Sequence, residues 1–442
     1  MRPARRRAAA AARRVRQARR VLRADGPGVL WARLARRALL RTGVERPELL
    51  VRAEDVLRAD PARPVPAAAV ARTAERGLTV NWVMTPPAGG SGGHTTVFRL
   101  VTALEERGHT CRVYLKDRYL GDTAGHEATL RAHWPAVRAA VADAEAGIAP
   151  ADAIFATSWN TAYQVAVTPQ QGKRFYLVQD YEPAFYALGS ESQLAENTYR
   201  LGLHGVTAGR WLSTKLAREF GMACDAFDFG CDTTVYRCDN LGERDGVVFY
   251  ARPSAPRRAY ELGVMALELF ARRHPETPIH LFGERVGALP FRFTDHGLLS
   301  TAELNALYNR CAAALSLSLT NISLIPLELL AAGCIPVVND AHHNRMVVDN
   351  PYVRYAPPTP HDLARALSEV VQRRDTAGLA RAASASVSLQ GWDQAGDTLE
   401  RVLRRELDHA AERRATEPRE PEPRAAEPRA TDLQGLVDGA RT

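Results

Sequence analysis

The sequence predicts an α/β chain whose core is two doubly wound, Rossmann-like domains facing one another across a cleft. Three observations point to it. From Leu78 onward, short apolar runs of strand character alternate with stretches of helical periodicity, the pattern of successive βα units. The alternation restarts near Gly246, giving two arrays of about 150 to 170 residues each, a usual size for such a domain. The 442 residues are 46% hydrophobic, ample for two compact cores.

Taken in order, residues 1–60 read as a basic helical arm in which Val21, Leu22, Leu30, Trp31, Leu34, Leu39 and Leu40 are interleaved with arginine. Such a segment suits the surface of an anionic membrane, and it equally suits a solvated extension. Residues 61–77, beginning "PARPVPAAA", are a proline-punctuated linker. The first domain is expected over 78–242. "LTVNWVM" is a strand, "TPPAGGSGGH" a loop, "TTVFRLVTALEERG" a helix closed by Gly108, and "CRVYL" a second strand. "DAIFATSW" and "KRFYLVQDY" continue the array, and "GVTAGRWLSTKLAREFG" supplies a further strand and a helix ending at Gly221. The second domain is expected over 243–390. Its strands are "VVFY", "IHLF", "AAALSLSL", "CIPVV" and "VRYA". Between them lie a helix from Ala259 to Arg273, the helix "STAELNALYNRC" with a Ser300/Glu303 capping box, a short helix around Glu328, and a helix from Pro360 to Arg373. Residues 391–408 form a closing amphipathic helix. Residues 409–442, rich in Pro and Glu, have almost nothing to bury and are expected to be disordered.

The formal charge of +8 does not mark a nucleic-acid binder. The first 41 residues carry 14 Arg against the single acid Asp25, which leaves the remaining 401 at −5. The basicity belongs to the arm and not to the fold. Six cysteines with no C-x-x-C pair, in a long chain without a secretory leader, suit reduced thiols in a cytoplasmic setting. No segment approaches the roughly 18 uninterrupted apolar residues of a spanning helix.

Chemistry is expected where doubly wound domains bind ligands, at the carboxyl ends of their strands. "SLTNISLIPLELL" follows a strand directly. With Pro326 at the first helical position, Glu328 falls in the first turn, while Leu327, Leu330 and Ala331 face the sheet. A carboxylate there can accept two hydrogen bonds from a sugar diol, or it can merely complement the helix dipole; the residues alone leave both open. "FYARPSAPRRAYELG" puts Arg252, Arg257 and Arg258 at the end of the first strand of the same domain, and guanidinium forks match diphosphate oxygens. In the first domain "PPAGGSGGHTT" is a glycine-rich turn entering a helix, where Gly90, Gly92 and Gly93 let backbone N–H groups approach an anion and His94 opens the helix. The turn is not a Walker A loop, and it lacks the third glycine of the dinucleotide fingerprint, where Thr95 stands.

The set "GGSGGHTT", "LVQDYEPAFYALGS", "YARPSAPRR", "PLELLAAGCIPVVND" and "GWDQAGDTLERVL" resembles the GT-B glycosyltransferases of family four. It is most similar to the WsaF-type rhamnosyltransferases of bacterial surface-polysaccharide assembly, over about Leu78 to Leu407. By that resemblance Glu328 is the ribose-binding acid, Arg252 and Arg257 the cationic pair on the donor diphosphate, with Arg258 beside them, and the glycine turn lies under the donor. Thr320, Asn321, Ile322 and Ser323 form the loop against the donor sugar, and His94, Asp180 and Glu182 line the acceptor side as catalytic candidates. One departure concerns the donor. The family's paired glutamates stand eight positions apart, and eight before Glu328 is Thr320. Its methyl group suits a 6-deoxy sugar, and with the rhamnosyltransferase likeness this implies dTDP-L-rhamnose as donor.

The resemblance further implies a retaining hexosyltransferase with no cofactor beyond its nucleotide-sugar donor. No metal is expected, because arginines serve the diphosphate and "DYE" is a weak approach to a DxD motif. The expected acceptor is a glycan or lipid-linked glycan, with peripheral contact to the inner face of the plasma membrane and no nucleic acid. A sugar-nucleotide epimerase on the same scaffold and a non-enzymatic glycan-binding protein are the alternatives.

Overall fold

The computed structural model describes residues 49–63, 77–117, 122–322, 324–387 and 392–416. Most of the arm and linker, Ser323 and residues 417–442 lie outside the described residues. The chain divides into two compact units, Met1–Arg52 and Ala53–Thr442, and the second carries the fold.

Two parallel sheets build that unit. The first contains β1 (Thr79–Met84), β2 (Thr110–Leu115), β3 (Ala140–Asp143), β4 (Ala153–Ala156), β5 (Lys173–Val178), β6 (His204–Ala208) and β7 (Cys224–Phe227), in the order β3-β2-β1-β4-β5-β6-β7. The second contains β8 (Val247–Ala251), β9 (Ile279–Gly283), β10 (Thr294–Asp295), β11 (Ala313–Ser316), β12 (Ile335–Asn339) and β13 (Arg354–Ala356), in the order β10-β9-β8-β11-β12-β13. All pairings are parallel, so every connection is a crossover, as the alternating pattern requires. Each sheet reverses its winding once, between β1 and β4 and between β8 and β11. Those two reversals are where doubly wound folds open a crevice for ligand.

The central strands are apolar on both faces because helices cover both. In the first sheet Trp82, Phe155 and Phe175 lie side by side on β1, β4 and β5 and stack at centroid distances of 4.4 and 4.9 Å. All three are fully buried, forming a lateral aromatic row that fixes the register of the central strands. Helix ends follow local chemistry: Ser300 and Glu303 form the expected capping box, and Gly221 ends the helix Arg210–Phe220 at φ +67.

The structure departs from the sequence reading in several places. Strands β3, β7 and β10, all at or next to sheet edges, were not expected. The closing helix runs from Trp392 to Thr416, so residues 409–416 are helical rather than part of the tail. It returns to the first domain, where Ala395, Leu399, Val402 and Leu403 join that domain's core. Finally, the arm's last turns are a helix, Ala53–Arg58, packed on the first domain: Asp55 pairs with Lys116 at 2.9 Å, and Arg58 donates to the Val167 carbonyl at 3.1 Å.

Candidate active site

The glycine turn after β1 works through what its residues lack. Gly90 takes φ +74, and a Cβ there would come within 2.8 Å of Leu298 from the second domain, so a bare backbone lets the two domains touch. Ser91 caps the helix Gly92–Glu106 by accepting from the His94 N–H at 3.4 Å. The His94 ring accepts from the Ala88 N–H through Nδ1 at 3.2 Å, so the neutral ring carries its proton on Nε2. Burial pushes its pKa below the ordinary value, which favours that neutral form.

At the reversal of the second sheet, the segment after β8 meets the loop after β11. The Leu319 N–H donates to the Arg257 carbonyl at 2.9 Å, and Arg258 donates to the carbonyls of Asn321 and Ile322 at 3.3 and 3.4 Å. The loop is held from below by Asn339, which exchanges two 2.8 Å bonds with the backbone of Ser318. Thr320 is buried with its hydroxyl unpartnered among the described residues, Asn321 is buried, and Ile322 joins the domain core. Arg252 is spoken for on one side, paired with Glu284 at 2.7 Å and bonded to the Tyr250 hydroxyl at 3.0 Å.

The two domains meet through this loop. Asp180, at the end of β5, accepts from its neighbour Tyr181 N–H at 2.8 Å, from the Asn321 N–H at 2.9 Å and from Arg257 Nε at 3.2 Å. Asn321 returns the contact, its amide donating to the carbonyls of Gln179 and Ala208 at 2.8 and 3.0 Å. The Phe185 ring lies 4.0 Å beneath the Arg257 guanidinium. Thus Asp180, Arg257, Arg258 and Asn321 come together as one cross-domain cluster.

Glu182 goes elsewhere. It is buried, accepting from the Trp159 N–H at 2.7 Å and from the Tyr176 hydroxyl at 2.8 Å, so it holds the start of the helix Trp159–Val167 and presents no free oxygen to a cleft. Burial lifts its carboxyl to about 7.

Glu328 lies in the first turn of the helix Ile325–Ala331, with Pro326 at the second position instead of the first. Leu330 and Ala331 are buried as expected, with Pro326 and Leu329 beside them, whereas Leu327 is only partly so. The Glu328 carboxylate has no hydrogen-bond partner among the described residues. Desolvation raises its pKa to about 7, moderated by Arg99 and raised a little more by Asp232. Arg99 belongs to the helix Gly92–Glu106 and pairs with Asp232 at 3.1 Å, so the first domain sets the field at an acid of the second.

Sequence reasoning missed Phe185, Glu284, Arg99 and Leu298. Phe185 sits inside the quoted "DYEPAF" and was within reach; the other three are placed by tertiary contacts alone. Among the described residues no group of three or more His, Cys, Asp or Glu is arranged to hold a metal ion. No described helix is long and apolar enough to cross a membrane.

Comparison with known proteins agrees with this architecture. Residues 136–208 match the model of the WsaF N-terminal domain and residues 245–368 that of the WsaF C-terminal domain. The O-antigen biosynthesis protein RfbC of Myxococcus xanthus is 32% identical over 370 residues, covering 79% of this chain. The chain spans only 28% of that relative's length. Among solved structures, Anabaena Alr3699/HepE in complex with UDP and glucose superposes with a TM-score of 0.54 at 13% identity, over 74% of this chain and 99% of that one. WaaG, a glycosyltransferase involved in lipopolysaccharide biosynthesis, superposes with a TM-score of 0.51 at 13% identity, over 73% and 98%. At such identities the superpositions speak for the fold. Both sheets therefore carry a stretch that matches a WsaF domain model, so the chain is similar to WsaF over residues 136–208 and 245–368 and shares its two-sheet fold with HepE and WaaG.

Proposed function

We propose that this chain transfers a sugar from a nucleoside-diphosphate donor to a growing surface polysaccharide or lipid-linked glycan. The observation that carries the proposal is Glu328: a carboxylate at the carboxyl end of the second sheet, in the first turn of a helix, with no protein hydrogen-bond partner among the described residues. A ribose diol supplies two donors to such a group. The second sheet's reversal adds the guanidinium groups of Arg252, Arg257 and Arg258, which suit the donor diphosphate. Similarity to the two WsaF domain models supports the reading, as does the shared fold of a neighbour whose crystals hold UDP and glucose.

In this reading the residues act chiefly by positioning and charge. Glu328 fixes the nucleoside, Arg257 and its neighbours stabilise the leaving diphosphate, and the backbone of Gly90, Gly92 and Gly93 runs under the donor. Transfer is proposed to proceed with retention: the acceptor hydroxyl attacks on the face that the diphosphate vacates and passes its proton to a donor phosphate oxygen. His94, with its neutral form favoured and Nε2 bearing hydrogen, is assigned the donation of a hydrogen bond on the acceptor side. The loop of Thr320, Asn321, Ile322 and Ser323 is assigned to the donor sugar. Thr320, short, uncharged and carrying a methyl group, suits a 6-deoxy-hexose, and dTDP-L-rhamnose is the donor we propose. The basic arm is assigned to the anionic inner leaflet, where lipid-linked acceptors are presented.

The test of the nucleotide site is titration calorimetry with dTDP and UDP. Charged hydrogen bonds contribute about 1.5 to 3 kcal/mol, so Glu328→Ala should weaken binding roughly ten-fold or more. Unchanged affinity would remove Glu328 from the site.

A further inference from the structure

We propose that residues 180–185 of the first domain orient Arg257 of the second, aiming its free fork at the donor diphosphate only when the two domains are together. The inference rests on the nucleotide-sugar reading above and adds to it a positioning role for Asp180 and Phe185. A guanidinium has an Nε edge, a terminal fork and two faces. Asp180 takes the Nε edge of Arg257 at 3.2 Å, and the Phe185 ring covers one face at 4.0 Å. The terminal nitrogens have no hydrogen-bond partner among the described residues. A guanidinium held in this way keeps its two-pronged edge for a ligand, and that edge matches two phosphate oxygens at once. Backbone on both sides stiffens the arrangement: the Arg257 carbonyl is bonded by Leu319 N–H, and the second Asp180 oxygen is bonded by Asn321 N–H. Both groups that orient Arg257 come from the opposite domain, so separating the domains would release the side chain. Charge neutralisation of the leaving group is thereby coupled to closure, which keeps an open enzyme from activating its donor toward water.

The experiment compares the unaltered chain with four variants, Asp180→Asn, Phe185→Leu, Arg257→Gln and the double variant Asp180→Asn/Arg257→Gln, using UDP and dTDP against uridine and thymidine as probes, with affinities from calorimetry and ligand-observed NMR. Asp180→Asn keeps an acceptor for the two N–H groups but loses the charge facing Arg257. It should lower the ratio of diphosphate to nucleoside affinity about ten-fold while leaving nucleoside binding unchanged. Phe185→Leu, which spares the hydrogen bonds, should lower the same ratio about three-fold. In an Arg257→Gln background, Asp180→Asn should cause no further loss, because its effect runs through that arginine. An unchanged ratio in both single variants would overturn the proposal. So would equal losses for nucleoside and diphosphate, which mark general damage, or an Asp180→Asn effect that persists without Arg257. Failure of the unmodified chain to bind either diphosphate would instead bring down the nucleotide-sugar reading and this inference with it.

Discussion

Glu182 and Glu328 are two acids whose burial lifts them to the same region, about 7, with different consequences. Both oxygens of Glu182 are spent on Trp159 and Tyr176, so its raised pKa is a matter of stability. A carboxyl that binds its proton more tightly when folded stabilises the fold below its unfolded pKa, and that contribution is lost as pH rises through the folded value. Between the ordinary carboxylate range and pH 7 this amounts to a loss on the order of 3 kcal/mol. Glu182→Gln removes the titration while retaining an acceptor for the Trp159 N–H. The variant should therefore melt higher than the parent at pH 8, with the gap narrowing at pH 5.5; a gap independent of pH in thermal denaturation would contradict the assignment. Glu328 has oxygens to offer, and its ionised form is the better acceptor. Affinity for dTDP or UDP should consequently fall as pH drops through about 7, and calorimetry on Glu328→Gln should show that dependence flattened. Glu328 was legible in the sequence because a strand, a proline and an apolar helix frame it within a dozen residues. The partner of Asp180 was not, since Arg257 stands 77 positions away and only the meeting of two domains joins them.

Among the elements, the closing helix shows how chain order and spatial order part company. Leu399 and Leu403 are fully buried in the core built by β1 to β7, although the second domain intervenes in sequence. Its amphipathic spacing was readable; its destination was not, because a helical stripe says that a face is buried without saying against what. Leu403→Ala should cost about 2 to 5 kcal/mol, read from the denaturant midpoint of first-domain tryptophan fluorescence. A change under about 0.5 kcal/mol would mean that the helix is dispensable to that core. Two of the unexpected strands, β3 and β10, share a cause. β10 is two residues long, and β3 alternates exposed with partly buried positions, so neither has the continuous apolar run of the central strands. At the glycine turn, Gly90→Ala meets a left-handed φ and the side chain of Leu298 together. It should destabilise by about 1 kcal/mol or more and loosen the contact between the domains.

The whole molecule divides its charge, with a strongly basic beginning and a mildly acidic remainder. Deleting residues 1–48, while keeping the packed helix Ala53–Arg58, should release the protein from liposomes containing anionic lipid, since each basic residue near such a surface contributes about 1 kcal/mol. Sedimentation unaltered by the deletion would reassign the arm. The two-domain plan was legible throughout because parallel strands announce themselves as repeated apolar runs, whereas the cross-domain cluster of Asp180, Arg257, Arg258 and Asn321 exists only in the assembled unit. The account as a whole stands on sugar transfer from a nucleotide donor. Its most direct test is nucleoside-diphosphate release from dTDP-L-rhamnose, GDP-mannose and UDP-glucose at equal concentration, with and without a membrane extract as acceptor source, for the parent chain and Glu328→Ala. The account predicts release stimulated by acceptor, fastest from dTDP-L-rhamnose by about ten-fold, and depressed at least ten-fold in the variant. Preference for a fully hydroxylated hexose would refute the donor, and no release from any of the three, with acceptor present, would contradict the central claim.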